Sequence, residues 1–463
     1  MVGRRLPERS FVLRTPSKLT IRLGLLAFTQ VACGGAGDLS GESRFEDRYE
    51  QVERSYDVAR TESCPGGGVL TYSGADSNGD GILSPGESES SLTRLKCAPA
   101  PGPITLEVVT AGGRHSCGLT MSGGVKCWGD NRSGQLGDGT TIGSGAPVDV
   151  LGLNSGVASI AAGDWHTCAI MEGGEAKCWG DNSYGQLGDG SLVDSSTPVD
   201  VLELEMGVAS ISTGGAHTCA VTVEGAAACW GDNTNGELGD GSSMVQTRPV
   251  TVQGLNQDVS SISASLFHTC AVTSSGGAKC WGRNDRGEVG DGTTQKRRSP
   301  VDVMGLTSGV TSISTGTDFT CAITDAGSAR CWGDNTNGEL GDGTDLAHST
   351  PVDVSMLRSR VTSISCGSGY TCAMTAEGGV CWGNDRSDIF GEDETPFDRF
   401  RERGIVYMPW LDASVRVIST GKTHACFVTE SFEVKCWGDN SSGGLGMGYA
   451  SGTQALPVNV VTD

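Results

Sequence analysis

Residues 157–201 read Val157-Ala-Ser-Ile160, a turn at Gly163, His166-Thr-Cys-Ala-Ile170, a glycine turn, Ala176-Lys-Cys-Trp-Gly180, a glycine-rich loop and Pro198-Val-Asp-Val201. Short runs of strand-forming residues separated by turn residues predict four antiparallel strands, enough for one small sheet. The stretch recurs along the chain. Its Cys-Trp-Gly triplet puts tryptophans at 128, 179, 230, 281, 332, 382 and 437, at intervals of 51, 51, 51, 51, 50 and 55 residues. A fixed period of this length, with one sheet per period, points to a propeller blade repeated around an axis. Composition agrees. With 71 glycines, 10 phenylalanines and 7 tyrosines in 463 residues, almost no glycine-free stretch is long enough for an amphipathic helix, and the fold class is all-β.

Fourteen of the 18 cysteines fall into seven pairs. Cys117 goes with Cys127, Cys168 with Cys178, Cys219 with Cys229, Cys270 with Cys280, Cys321 with Cys331, Cys372 with Cys381 and Cys426 with Cys436. Six are C-x(9)-C and one is C-x(8)-C, unlike the close spacing that favours zinc. With the first turn centred near Ser122, Cys117 and Cys127 stand opposite each other across a hairpin, close enough for a disulfide. Each bridge would staple one hairpin, which demands an oxidising compartment.

The repeat, written HTCAxTxxGGxxCWGDNxxGxLGDGTxxxxxxPVDV, closely resembles that of the regulator of chromosome condensation family. The resemblance covers about 360 residues in seven copies and implies a seven-bladed β-propeller over residues 104–463. It further implies a ring sealed by one blade built from both chain ends, here residues 106–109 and 457–460.

Ahead of the repeats the chain changes character. Arg4, Arg5, Arg9, Arg14, Lys18 and Arg22 precede the short apolar run 23–28 and then Val31-Ala32-Cys33, so residues 1–33 read as an export signal. It resembles a bacterial lipoprotein signal, with Cys33 as the lipidated residue, although Gln30 stands where that motif prefers leucine. Plain secretion with cleavage near Cys33 is the alternative. Residues 34–63 are polar and read as a flexible tether, residues 64–97 as a small module clipped by a disulfide between Cys64 and Cys97, and residues 98–103 as a Pro-rich linker. Cys366 is left over and reads as a buried, inert thiol.

Within the small module, Asp76, Asn78, Asp80, Ile82, Ser84 and Glu87 fit the spacing of a calcium loop, whose oxygen ligands recur at fixed positions around a glycine turn. Its flank, residues 66–72, reads as a strand rather than an entering helix, so a plain Asp/Asn/Gly turn is the other reading. Calcium is the one cofactor the sequence suggests.

Other repeated polar residues are expected to serve the fold. His115, His166, His217, His268 and His424 share one position, taken by Phe319 and Tyr370 in the remaining copies. Symmetric blades set such residues around a wide ring, beyond the roughly 2.1 Å reach of a zinc ligand, and a hairpin hydrogen-bonding role is expected. The tryptophans are expected to pack between blades. Asp138, Asp189, Asp240, Asp291 and Asp342 read as turn residues, since symmetric copies lack the contrasting environments of a catalytic carboxylate pair.

Function is expected where the symmetry fails. The sixth repeat carries an enlarged loop with Phe397, Arg399, Phe400, Arg401, Arg403, Tyr407 and Trp410, residue types enriched at binding hot spots. The competing reading is a decayed repeat whose aromatics fill an irregular blade. Lys296-Arg297-Arg298 in the fourth repeat reads as solvated charge. Against 33 Lys and Arg stand 55 Asp and Glu, a net charge of −22, which disfavours nucleic acid and anionic lipid surfaces. The sequence thus predicts an exported monomeric scaffold, on the bacterial cell envelope or extracellular, that binds a protein partner and is not an enzyme. Exchange-factor activity like that of the family's namesake, or a secreted enzyme or inhibitor using the sixth repeat, are the alternatives.

Overall fold

A computed structural model describes residues 50–58, 68–76, 92–97, 102–204, 207–355, 357–384, 404–412 and 414–462. The chain divides into two compact units, Met1–Ala100 and Pro101–Asp463. In the first, three strands form one antiparallel sheet in the order β1 (Glu50–Val58), β2 (Gly68–Asp76) and β3 (Leu92–Cys97). Strand β2 matches the strand expected from residue 66. The tether expected over residues 34–63 is interrupted by β1, whose residues pair one for one with β2 from Glu50 opposite Asp76 to Val58 opposite Gly68. The signal was in the sequence: Val52, Tyr56 and Val58 share one parity among polar neighbours, the period of a strand.

The second unit is a ring of seven four-stranded antiparallel sheets, the seven-bladed propeller expected. Blade 2 shows the plan, with an inner strand Val157–Ala162, then His166–Met171, Ala176–Gly180 and an outer strand Ser195–Asp200. Alternating strand direction places the first turn and the long loop after Cys-Trp-Gly on one face of the ring. The hairpin turn and the link to the next blade lie on the other.

The seven expected disulfides form, one in each blade, and each joins the two middle strands between residues in direct register. Cys117 bonds to Cys127, Cys168 to Cys178, Cys219 to Cys229 and Cys270 to Cys280. Cys321 bonds to Cys331, Cys372 to Cys381 and Cys426 to Cys436. The bridged Cα atoms lie 4.0 Å apart in blade 1 and 4.1 Å apart in blade 2. Closing so small a loop stabilises each hairpin by roughly 2–3 kcal/mol through the unfolded chain.

Instead of one central core, a wedge of apolar side chains fills each of the seven seams between neighbouring blades. Between blades 1 and 2, Leu119, Leu136 and Leu153 meet Val157, Ile160 and Trp179. Each tryptophan of a Cys-Trp-Gly triplet is fully buried in the seam before its own blade. The Trp179 indole N–H donates to Gln135 O at 2.9 Å, and the same carbonyl accepts from the Thr167 hydroxyl at 3.0 Å. The loops of blades 2 to 5 and of blade 7 each likewise anchor two side chains of the next blade through one backbone oxygen, whereas blade 7 itself carries Ala425 at the hydroxyl position. The loop's Leu-Gly-Asp-Gly sequence follows from this contact. Gly137 has a φ of 70°, and a Cβ there would lie 2.8 Å from the Trp179 Nε1.

Ring closure differs from the mixed blade that the resemblance implied. Each blade is cut from one continuous stretch, because the repeat begins at the inner strand and all four strands follow in order. The ends meet by lining blade 7 instead. Ile104 N donates to Val460 O at 2.8 Å, and Leu106 N to Phe432 O at 2.9 Å. Ile104, Leu106 and Trp128 fill the last seam against Val428, Leu445 and Val460.

Candidate functional site

The repeated histidines are fully buried latches between blades, rather than bonds within a hairpin. His115 Nε2 lies 2.9 Å from Thr167 Oγ1 in the next blade, His166 Nε2 2.9 Å from Thr218, His217 Nε2 2.9 Å from Thr269 and His268 Nε2 2.8 Å from Thr320. His424 reaches Ser116 at 2.7 Å and so latches the closing seam. Each hydroxyl already donates its single proton to a loop carbonyl, Thr167 to Gln135 and Ser116 to Gly444, so the imidazole must be the donor. That assigns the Nε2–H neutral tautomer. Burial pushes the imidazoles down, His115, His166 and His268 to about 3 and His217 and His424 to about 4. Phe319 fills the same place in blade 5, and the Tyr370 hydroxyl in blade 6 donates to backbone of blade 7.

The loop carboxylates are likewise engaged. Asp138 Oδ1 accepts from Thr140 N at 2.9 Å and from Asn131 Nδ2 at 3.1 Å, and the pattern repeats at Asp189, Asp240, Asp291 and Asp342. Lys296 reaches Asn235 at 2.6 Å and Arg297 holds Asp291, so part of the basic cluster braces neighbouring loops. Among the described residues, no group of three or more His, Cys, Asp or Glu is placed to hold a metal.

The sequence reading passed over three carboxylates in this layer. Where the first two repeats carry the buried amides Gln135 and Gln186, the next three carry Glu237, Glu288 and Glu339. Glu288 meets Arg283 at 3.1 Å. Glu237 has no such partner among the described residues, its oxygens accepting from Asn235 N and Nδ2 at 2.8 and 2.7 Å, and burial pushes it up to about 7. Burial also raises Glu339. The signal was present as Gly-Gln-Leu changing to Gly-Glu-Leu, or to Gly-Glu-Val at Glu288, but a turn position gives no hint of burial.

On the axis, the last residue of each inner strand and the next residue surround a cavity of ≈ 130 Å³, reached by Asp164, Cys366 and Lys422 among others. Pockets for small ligands run to roughly 300–1,000 Å³, so this cavity suits a few waters. The Cys366 thiol is the free cysteine of the described residues, and burial pushes it up to about 12, in keeping with an inert role.

In the sixth repeat the outer strand shrinks to Val406–Tyr407, paired with Cys381 and Val380. Tyr407 stacks under the Arg358 guanidinium at 4.5 Å and its hydroxyl accepts from Arg358 N at 3.2 Å. Trp410 packs, partly buried, on the seam where Met408 and Leu411 meet Phe427 and Trp437. Both aromatics thus fill the irregular blade. Phe397, Arg399, Phe400, Arg401 and Arg403 lie outside the described residues, as do Cys33, Cys64 and the loop positions Asn78, Asp80, Ile82, Ser84 and Glu87. Asp76 ends strand β2, and Cys97 ends β3 opposite Gly68.

Comparison with known proteins agrees with the architecture. Two models of the regulator of chromosome condensation (RCC1) repeat match, one at residues 108–135, 157–186, 208–237, 259–288, 310–339 and 415–443, the other in five segments from 122–170 to 327–374. The Arabidopsis thaliana ultraviolet-B receptor UVR8 is 30% identical over 355 residues, 75% of this chain and 80% of the receptor. The human E3 ubiquitin-protein ligase HERC2 is 34% identical over 275 residues, 58% of this chain but only 6% of the ligase. Among solved structures, Saccharomyces cerevisiae Prp20p superposes with a TM-score of 0.65 at 19% identity, over 74% of this chain and 87% of that one. Human WBSCR16 gives 0.65 at 22%, over 73% and 94%. The chain belongs to the regulator of chromosome condensation repeat family of seven-bladed propellers.

Proposed function

We propose that this protein is an exported, envelope-anchored propeller that serves as a rigid scaffold for a protein partner. One observation carries the reading: the polar groups multiplied by the repeat are engaged between or within blades, which leaves the loops as the surface a partner can address. The buried disulfide in each blade supports export, since such bridges persist in oxidising compartments. Cys33 as lipid attachment point and calcium at the loop 76–87 belong to the same proposal. Prp20p is described as binding Gsp1p and histones, but at 19% identity that likeness speaks for the fold alone.

Crosslinking on intact cells, followed by fractionation, tests the reading. A discrete crosslinked protein in the envelope fraction is expected. Recovery of the chain from the cytosol with reduced cysteines, or no crosslink at any linker length, overturns it.

A further inference from the structure

The loops after Cys-Trp-Gly place one residue at a fixed crest position, eleven residues beyond the loop's asparagine in blades 1 and 2. Its occupants are Ile142, Val193, Met244, Gln295 and Leu346 in blades 1 to 5. Four are large and apolar, yet they are 66%, 70%, 68% and 62% exposed. Other exposed apolar residues recur less: Met121 and Val223 share one hairpin-turn position in blades 1 and 3, on the opposite face, but Glu172, Ser274 and Asp325 hold it in blades 2, 4 and 5, and Leu151 and Met304 share a link position in blades 1 and 4.

The crests are held rigidly. Ile142 N donates to Thr140 Oγ1 at 3.2 Å and Ile142 O accepts from Asn131 Nδ2 at 3.2 Å, while Asp138 fixes the Thr140 hydroxyl. Val193 and Leu346 have the same two ties, and Met244 N is bound to Ser242. With the backbone engaged internally, the side chain is what each crest offers. Binding there would order little that is not already ordered.

Blades 1 to 3 carry the crests consecutively, broadened by Leu192 and Val245 beside them. The loops of blades 2 and 3 contain Asp181, Asp189, Asp194, Asp232 and Asp240 besides the buried Glu237 and neither lysine nor arginine, and in the blade 1 loop Arg132 is paired with Asp130. The next loop ends the patch with Gln295 and Lys296. Apolar anchors in an acidic field select apolar groups flanked by cations.

We propose that the arc of Ile142, Val193 and Met244 is the docking surface for a basic protein segment that presents apolar side chains between its cations. This rests on the protein-binding reading and names its surface. The probe is a fluorescein-labelled 16-residue peptide of alternating leucine and lysine, followed by anisotropy, with peptides carrying serine for leucine or glutamate for lysine as controls. The wild-type protein should bind it at least tenfold tighter than either control. A crest variant combining Ile142→Ser, Val193→Ser and Met244→Ser should remove that tenfold, while one combining Met121→Ser, Val223→Ser and Met304→Ser should retain it. All six positions are exposed, so melting curves should stay unchanged. Equal binding by the crest variant, equal binding of the serine peptide, or no binding by the wild type overturns the proposal. So does a wild-type dimer in sedimentation that the crest variant abolishes, which would make a second copy the occupant. On cells, a crosslinked partner retained by the crest variant overturns this surface but leaves the protein-binding reading standing.

Discussion

Acid should loosen this propeller through its histidine latches, and one substitution should show it. In each latch the imidazole donates through Nε2, and Nδ1 of His115, His166, His217 and His424 meets no hydrogen-bond partner among the described residues. A second proton would be buried without an acceptor. The folded-state values of about 3 to about 4 lie below the ordinary 6.5, so the unfolded chain takes up more protons as pH falls through that window. Stability from the latches is therefore full above pH 7 and declines on acidification. Between pH 8 and pH 5 each latch histidine forfeits about 2 kcal/mol, and the five together about 10 kcal/mol. Glu237 opposes this, because a carboxyl raised to about 7 stabilises the fold as pH falls, by about 2–3 kcal/mol over the same interval. The histidines prevail. His166→Phe isolates one latch, since Phe319 already occupies the equivalent site beside Gly316 and Gly163 leaves the same space. Thr218 would still donate to Gln186 O at 2.8 Å, so no buried donor is orphaned. Denaturant unfolding at pH 8 should find the variant within about 1 kcal/mol of wild type. At pH 5 it should have gained about 2 kcal/mol relative to wild type. Parallel stability curves for the two proteins from pH 8 to pH 5 would refute the neutral latch.

Glu237→Gln should stabilise the protein by up to about 3 kcal/mol at pH 8 and by little at pH 4, measured by the same unfolding curves, because Gln186 shows the amide donating to Asp181 in the equivalent place. Gly163→Ala should cost several kcal/mol and lower the melting temperature, since a Cβ there would lie 2.5 Å from Gly214 O, a backbone atom of the next blade. Calorimetry of the intact protein with calcium should show millimolar or tighter binding that Asp76→Ala abolishes, and an absence of heat would leave a plain turn. Labelling with radioactive palmitate should mark the wild-type chain and not Cys33→Ser if that cysteine carries lipid.

The blades were legible because a β-propeller writes its period into the sequence: strand alternation, turn glycines and two opposed cysteines recur in each copy. Cys117 and Cys127 could be paired from their distance to Ser122 alone. The direction of the polar bonds was not legible. His166 sits within a hairpin in sequence, but its partner Thr218 is 52 residues away, and only the radial stacking of blades brings them together. Glu237 was hidden for a similar reason, since burial at a loop comes from the next blade closing over it. The sixth repeat was recognised as irregular, yet the packing of Tyr407 and Trp410 depends on Arg358 and Phe427, which no local pattern links to them.

Every disulfide of the ring joins cysteines that are consecutive in their blade and 9 or 10 residues apart. A chain emerging amino-terminus first into an oxidising space would meet its partners two at a time, and first-come pairing would give the native set without reshuffling. Within the ring, Cys366 disturbs that order, for it arrives just before Cys372. Its burial in the inner strand of blade 6 takes it out of competition only once that strand has found its place against blade 5. In such a space, faithful oxidation of the sixth blade would depend on the fifth having already folded.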